Sequence, residues 1–370
     1  MDFGLFYEVQ VASPFKHRDR ERQAFHDVMD QAVHAEQAGF ESFWTVEHHF
    51  QPGFSHSSAP EVLYGAISQR TSALRIGHGV ALLPYPYNHP VRVAERAATL
   101  DILSNGRVEL GTGKSITLTE LGGFGIPYDE TSAMWQEALE VITAIWKSET
   151  GTFSHSGKYF DIPERTVVPM PVQDPHPPIW SACTSLKSHV EAGEKGLGLL
   201  TFTVLVRPEE VGRRVRAYRE AVARAEPMGA AVNDKAATFT LVHCADTDEQ
   251  AREEAEAGFM SYVQAQISSS APVLEARKSG RRPEEIDADE GFQVTDFEGI
   301  DPRDVDLQYL IDNGMCVVGS PDTCVKQIER LQREADLDKL LCMMQFWSLP
   351  HDRTMHAIEL LGKHVIPCFA

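Results

Sequence analysis

The chain lacks any Cys-x-x-Cys pair. Its six cysteines (Cys183, Cys244, Cys316, Cys324, Cys342 and Cys368) are scattered, and several stand in apolar runs such as Leu341-Cys342-Met343-Met344. That spacing excludes thiolate zinc modules and the dithiol redox motif. It reads instead as buried free thiols in a reducing compartment. Basic charge is scarce as well: 34 Lys and Arg stand against 54 Asp and Glu, a formal net charge of −20. Such a balance leaves no basic footprint for nucleic acid and no polybasic contact for an anionic membrane. No run approaches the roughly 20 apolar residues of a membrane span. The segment Met1–Phe6 opens directly as a strand, without the basic flank and apolar stretch of a secretory signal. A cytoplasmic protein is expected.

What is present is alternation. Short apolar strands at 2–6, 42–46, 75–83, 107–111, 178–182, 197–203, 236–243 and 338–346 alternate with amphipathic helical stretches. These helices fall at 22–38, 60–73, 90–103, 185–195, 207–225, 247–265 and 351–365, with further helices at 131–147, 304–313 and 321–334 and a strand-like piece at 315–318. Eight βα units predict an α/β fold, a (β/α)8 TIM barrel with insertions, formed by residues 1–370 as one unit. An open doubly wound sheet would need a glycine-rich loop after the first strand, where Tyr7-Glu8-Val9-Gln10 stands instead. The insertions fall at about 115–177, with small extra strands between 150 and 177, and at 266–303. The second is charged and poor in large apolar side chains, which suits a mobile lid.

On a barrel, the residues just past the strand ends converge at one mouth. Here they include Glu47-His48-His49-Phe50 after the second strand, His78-Gly79-Val80-Ala81 in the third, Gly111-Thr112-Gly113-Lys114-Ser115 after the fourth, and Cys183-Thr184-Ser185-Leu186-Lys187-Ser188 after the fifth. Gly-Thr-Gly-Lys-Ser is not a nucleotide-hydrolase phosphate loop, because Val108 occupies the position of the required first glycine. Its residue types still suit a phosphate, since glycines admit backbone N–H groups and Lys114 supplies charge. Thr184, Ser185 and Ser188 open the next helix, whose N-terminus favours an anion. The bland alternative is a capping serine and a solvated lysine. Adjacent His48 and His49 cannot easily face one metal ion, and the helical His-Glu-x-x-His spacing is absent, so no metal is expected. Acid–base chemistry by one imidazole, with the other structural, is the alternative.

Glu47-His48-His49-Phe50 resembles the bacterial-luciferase-like flavin monooxygenases. So do Leu83-Pro84, His89-Pro90-Val91-Arg92, Ala94-Glu95, Asp101 to Arg107, Gly319 to Thr323, and Val365-Ile366-Pro367. The resemblance implies a TIM barrel that uses reduced FMN, delivered by a separate flavin reductase, to activate O2 as a C4a-(hydro)peroxyflavin. A small apolar or carbonyl substrate would then be oxidised, by hydroxylation or by Baeyer–Villiger insertion. It places His48 beside the flavin, with Glu47 orienting the loop. It gives the phosphate to Gly113, Lys114, Thr184, Ser185 and Ser188, and sets a cis peptide at Gly79-Val80 under the ring. Lys114 stands where luciferase has an arginine. Thr117 stands where luciferase has a tyrosine, which puts aldehyde chemistry and light emission in question. The resemblance also implies a homodimer, with Ala66, Ile67, Ala94 and Ala97 at its interface. The rival within the same superfamily is a deazaflavin-dependent oxidoreductase that moves hydride.

Overall fold

A computed structural model of the chain describes residues 1–115, 117–148, 151–279, 301 and 304–369. Strands β1 (Asp2–Tyr7), β2 (Ser42–Thr45), β3 (Arg75–His78), β4 (Ala81–Leu82) and β5 (Val108–Gly113) come first. A hairpin of β6 (Thr152–Ser156) and β7 (Asp161–Thr166) follows. Then come β8 (Ile179–Ala182), β9 (Gly198–Phe202), β10 (Ala236–Cys244), β11 (Cys316–Gly319) and β12 (Lys339–Met343). Parallel pairing runs β1–β2–β3–β5–β8–β9–β10–β12 and returns to β1, which closes an eight-stranded barrel. The strand-like piece at 315–318 is β11, a ninth strand that pairs with the far half of β10 outside the ring.

The helices are α1 (Arg18–Gln37), α2 (Pro60–Ser68), α3 (Pro90–Ser104), α4 (Leu118–Phe124), α5 (Thr131–Lys147), α6 (Leu186–Glu194), α7 (Pro208–Val222), α8 (Asp248–Ser279), α9 (Leu307–Asp312), α10 (Pro321–Ala335) and α11 (His351–Leu360). Among the described residues none is long and apolar enough to cross a membrane. Two differences from the sequence reading bear on the site. Helix α8 continues well beyond residue 265, so the first part of the supposed lid is helical; the rest, including 280–300, lies outside the described residues. The third strand is broken at Gly79-Val80, whose peptide bond is cis as the resemblance implies. Five cysteines are buried as expected, whereas Cys368 is exposed.

Inside the barrel, Trp44 and Trp180 meet edge to face at 5.6 Å, and Phe6 stacks on Phe239 at 4.6 Å. Gly77 lies against the Trp44 ring and Gly198 against Trp180, so each large ring faces a residue with no side chain. This alternation of large and small lets the two rings fit inside the barrel. Gly111 and Gly113, read from sequence as phosphate-loop glycines, serve the close approach of neighbouring chain. A Cβ on Gly111 would strike the carbonyl oxygen of His78, and one on Gly113 would strike the Val80 side chain. Since backbone cannot step aside as a side chain can, Gly111→Ala should cost about 1–3 kcal/mol. It should appear as a lower urea midpoint at unchanged m-value. An unshifted midpoint would mean that these two chain segments can part freely.

The helices around strands two and three do not present the expected interface positions. Ile67, Ala94 and Ala97 are buried within this chain, packed between helix and barrel, and only Ala66 of the four is exposed. The apolar side chains that do face outward there are Val62, Ile102 and Leu103.

Candidate active site

The segment after β2 is held by buried hydroxyls. Ser57 donates to the Val46 carbonyl at 2.8 Å, and the His48 amide donates back to the Ser57 carbonyl at 2.9 Å. Ser55 donates to the Glu8 carbonyl at 2.6 Å and ties the ends of β1 and β2 together. These bonds fix the two histidines on different sides. His48 lines the cleft above the barrel, while His49 turns into an aromatic cluster with Phe124 at 5.0 Å and Tyr87 at 5.9 Å. One imidazole is thus structural.

Glu47 does not reach the cleft. Its carboxylate accepts from the Leu82 amide at 2.9 Å and from Asn88 Nδ2 at 2.9 and 3.0 Å, with His49 Nε2 at 3.3 Å. It is a brace that joins the β2 loop to β4 and the segment before α3, as expected of a residue that orients the loop, and it has no place among reacting groups in the cleft. In Glu47→Gln an amide N–H₂ would meet two donors. The variant should lose about 1–3 kcal/mol of stability through the unsatisfied buried groups. Chemical denaturation would read this, and a midpoint equal to wild type would show that the brace is dispensable.

The carboxylate that serves His48 is Glu120 of α4, which the sequence reading missed. His48 Nδ1 lies 3.0 Å from Glu120 Oε1, and the same oxygen accepts from the His49 amide at 2.7 Å. Glu120 Oε2 accepts from the Ser115 hydroxyl at 3.3 Å. Burial opposes ionisation of Glu120, but His48 and the His49 amide hold its carboxyl below the usual range. Burial likewise opposes a charged His48, yet Glu120, Glu8 and Glu47 outweigh it and push the imidazole up to about 9. His48 is therefore an imidazolium near neutrality, with Nδ1–H donated to Glu120. A local signal for Glu120 existed. Thr117-Leu118-Thr119-Glu120 has capping-box spacing, and the structure starts α4 there but turns the glutamate towards the histidines.

The other end of the cleft is built from β5 and α6. Lys114, Ser115, Thr117, Thr184, Ser185 and Ser188 line it, together with Tyr128 from the turn before α5, Thr131 and Ser132 from its start, and the apolar Val80 and Leu82. Ser185 caps α6: its hydroxyl accepts from the Ser188 amide at 3.2 Å while Ser188 Oγ accepts from the Ser185 amide at 3.0 Å. The cap leaves the first-turn amides of α6 facing outward at the positive end of the helix dipole. Lys114 Nζ sits 5.3 Å from the centre of the Trp135 ring, and among the described residues no carboxylate pairs with it. Lys114 without a carboxylate partner among the described residues and the N-terminus of α6 with its serine cap form a set that favours an anion. That chemistry fits a phosphate monoester. The structure thus brings Gly113, Lys114, Thr184, Ser185 and Ser188 together around one cleft, and places Val80 of the cis peptide on its floor.

Residues 1–336 match the luciferase-like monooxygenase family. The chain is 28% identical to limonene 1,2-monooxygenase of Rhodococcus erythropolis over 382 aligned positions, covering all of this chain and 87% of the relative. Among solved structures, the oxygenating constituent of 3,6-diketocamphane monooxygenase from the CAM plasmid of Pseudomonas putida, in complex with FMN, superposes with a TM-score of 0.75. That protein is 26% identical, and the match covers 99% of this chain and 98% of the other. A shorter match, 31% identical over 152 residues, is to an F420-dependent glucose-6-phosphate dehydrogenase of Amycolatopsis mediterranei and covers 40% of this chain.

Proposed function

Because the chain belongs to the luciferase-like monooxygenase family, we propose that it is the oxygenating component of a two-component system. In this reading it takes reduced FMN from a separate reductase and oxidises a small apolar or carbonyl compound with O2. The observation that carries the reading is the pairing, across one cleft, of Lys114 and the N-terminus of α6 with the His48 imidazole held by Glu120. Bound reduced flavin supplies the electrons that activate O2, with one oxygen atom passing to the substrate and the other to water.

The chain's own residues then have distinct tasks. Lys114 neutralises the phosphate, and the Ser185–Ser188 cap presents α6 amides to it. Val80 and Leu82 give the cleft an apolar wall that excludes water. His48 Nε2–H is the proton donor at the reacting end, and Glu120 holds its tautomer and orientation through Nδ1. Phe54 packs edge to face on His48 at 5.3 Å and stacks on Tyr262 at 5.2 Å, which makes the substrate side of the imidazole aromatic. The exposed Val62, Ile102 and Leu103 are the surface on which a second copy of the chain would pack.

The test is product analysis with a flavin reductase, FMN, NADH and a panel of apolar ketones, aldehydes and alkenes under ¹⁸O2. The reading requires one ¹⁸O atom in the product. Oxidation that proceeds without O2 and only with a deazaflavin would replace it with hydride transfer.

A further inference from the structure

The side chain of Glu8, directly after β1, has no part in the cradle or in the bonds that hold the β2 loop. It is 2% exposed. Its Oε1 accepts from the Tyr262 hydroxyl of α8 at 3.3 Å. Its Oε2 is buried with no hydrogen-bond partner, and His48 Nε2 lies 3.8 Å from it. The bland account is a carboxyl that stays protonated and inert in an apolar wall. It leaves an acceptor buried and unpaired on the side where an imidazole N–H points, an arrangement that native interiors rarely tolerate.

The ring cannot turn away, because Glu120 pins Nδ1 and Phe54 packs against its face. Nε2 is thereby presented between Glu8 and the cleft. At 3.8 Å, Nε2 and Oε2 are within ion-pair distance of each other. We propose that Glu8 is a second carboxyl partner of His48 that shares its Nε2 proton, so that a Glu8–His48–Glu120 chain sets the charge of the cleft. In this role Glu8 is a positioning residue, acting through His48. The bearing on oxygenation rests on the function proposed above, whereas the shared proton does not.

The groups facing the pair are Glu47 beside His48, Glu120 from α4 and Tyr262 from α8. Burial pushes the Glu8 carboxyl up to about 7 against the pull of His48 and Tyr262. With His48 at about 9, three states follow. Below pH 7 Glu8 is neutral and His48 is cationic. Between the two values they form an ion pair. Above 9 the imidazole gives its proton to solvent. The signs for stability agree in direction. Both folded values lie above the ordinary values of 4.5 and 6.5, so both contributions are full at low pH; that of Glu8 is lost as pH rises through 7 and that of His48 as it rises through 9.

The test needs neither flavin nor substrate. The protein, labelled at histidine ¹³Cε1, is titrated by NMR, and His48 is assigned by its absence in His48→Asn. Wild type should show a main inflection near 9 and a smaller one near 7. In Glu8→Gln the smaller inflection should vanish, and the main one should move down by roughly one pH unit. Tyr262→Phe, which removes the donor to Oε1, should move the smaller inflection upward; it decides the matter if Glu8→Gln does not fold. A single inflection in wild type, unmoved in either variant, would overturn the shared proton. Because no cofactor is present, that outcome would leave the flavin reading standing, and failure of oxygenation would leave the titration standing.

Discussion

His48→Asn is expected to lower product formation roughly 10²–10⁴-fold, the range that a positioned acid–base group contributes. Binding of reduced FMN should remain within about threefold of wild type, because asparagine removes no group from the phosphate cradle. The variant should fold: Glu120 keeps the His49 amide and the Ser115 hydroxyl after the imidazole is gone, so no bare carboxylate is stranded. NADH and O2 would still be consumed, with the reducing equivalents appearing as hydrogen peroxide instead of oxygenated product. Comparing peroxide with product by a coupled assay measures this directly. Full coupling in the variant would remove His48 from the chemistry.

Lys114→Ala is expected to raise the dissociation constant for FMN about 30–100-fold, since a charge-assisted contact to phosphate contributes on the order of 2–3 kcal/mol. The loss should be specific to the phosphate. Fluorescence titration with riboflavin, which lacks it, should give equal affinities for variant and wild type, and the FMN-over-riboflavin preference should largely disappear. Lys114→Arg should retain that preference, because the position keeps its charge. Affinity for FMN in wild type should also fall with added salt, given that the cation is partly exposed. Equal loss of FMN and riboflavin binding would instead indicate a collapsed cleft, through the packing of Lys114 on Trp135.

The barrel was legible because each βα unit leaves a local mark: an apolar strand, then an amphipathic helix. That Lys114 and Ser185 line one cleft was legible for the same reason, since both stand just past strands whose ends must share a mouth. His48 was marked by an adjacent imidazole that packing alone does not explain. Its partners were not marked. Glu120 is far along the chain, on a seven-residue helix that the alternation does not reveal, and its capping-box spacing points to a helix start rather than to a histidine. Glu8 carried no local mark either, since its side-chain partner Tyr262 is 254 positions away. The loop-orienting part of Glu47 was legible from its place beside the two histidines, whereas its partners Leu82 and Asn88 carried no local mark. The glycines of Gly111-Thr112-Gly113 suggested an anion loop, whereas tertiary contacts with His78 and Val80 account for them.

The most direct measurement is a crystal structure with FMN bound. The phosphate should lie within hydrogen-bonding distance of Lys114 Nζ and the first-turn amides of α6, with the ring over Val80 and His48 Nε2 facing its edge. A phosphate bound away from Lys114, or an imidazole turned from the ring, would contradict the account.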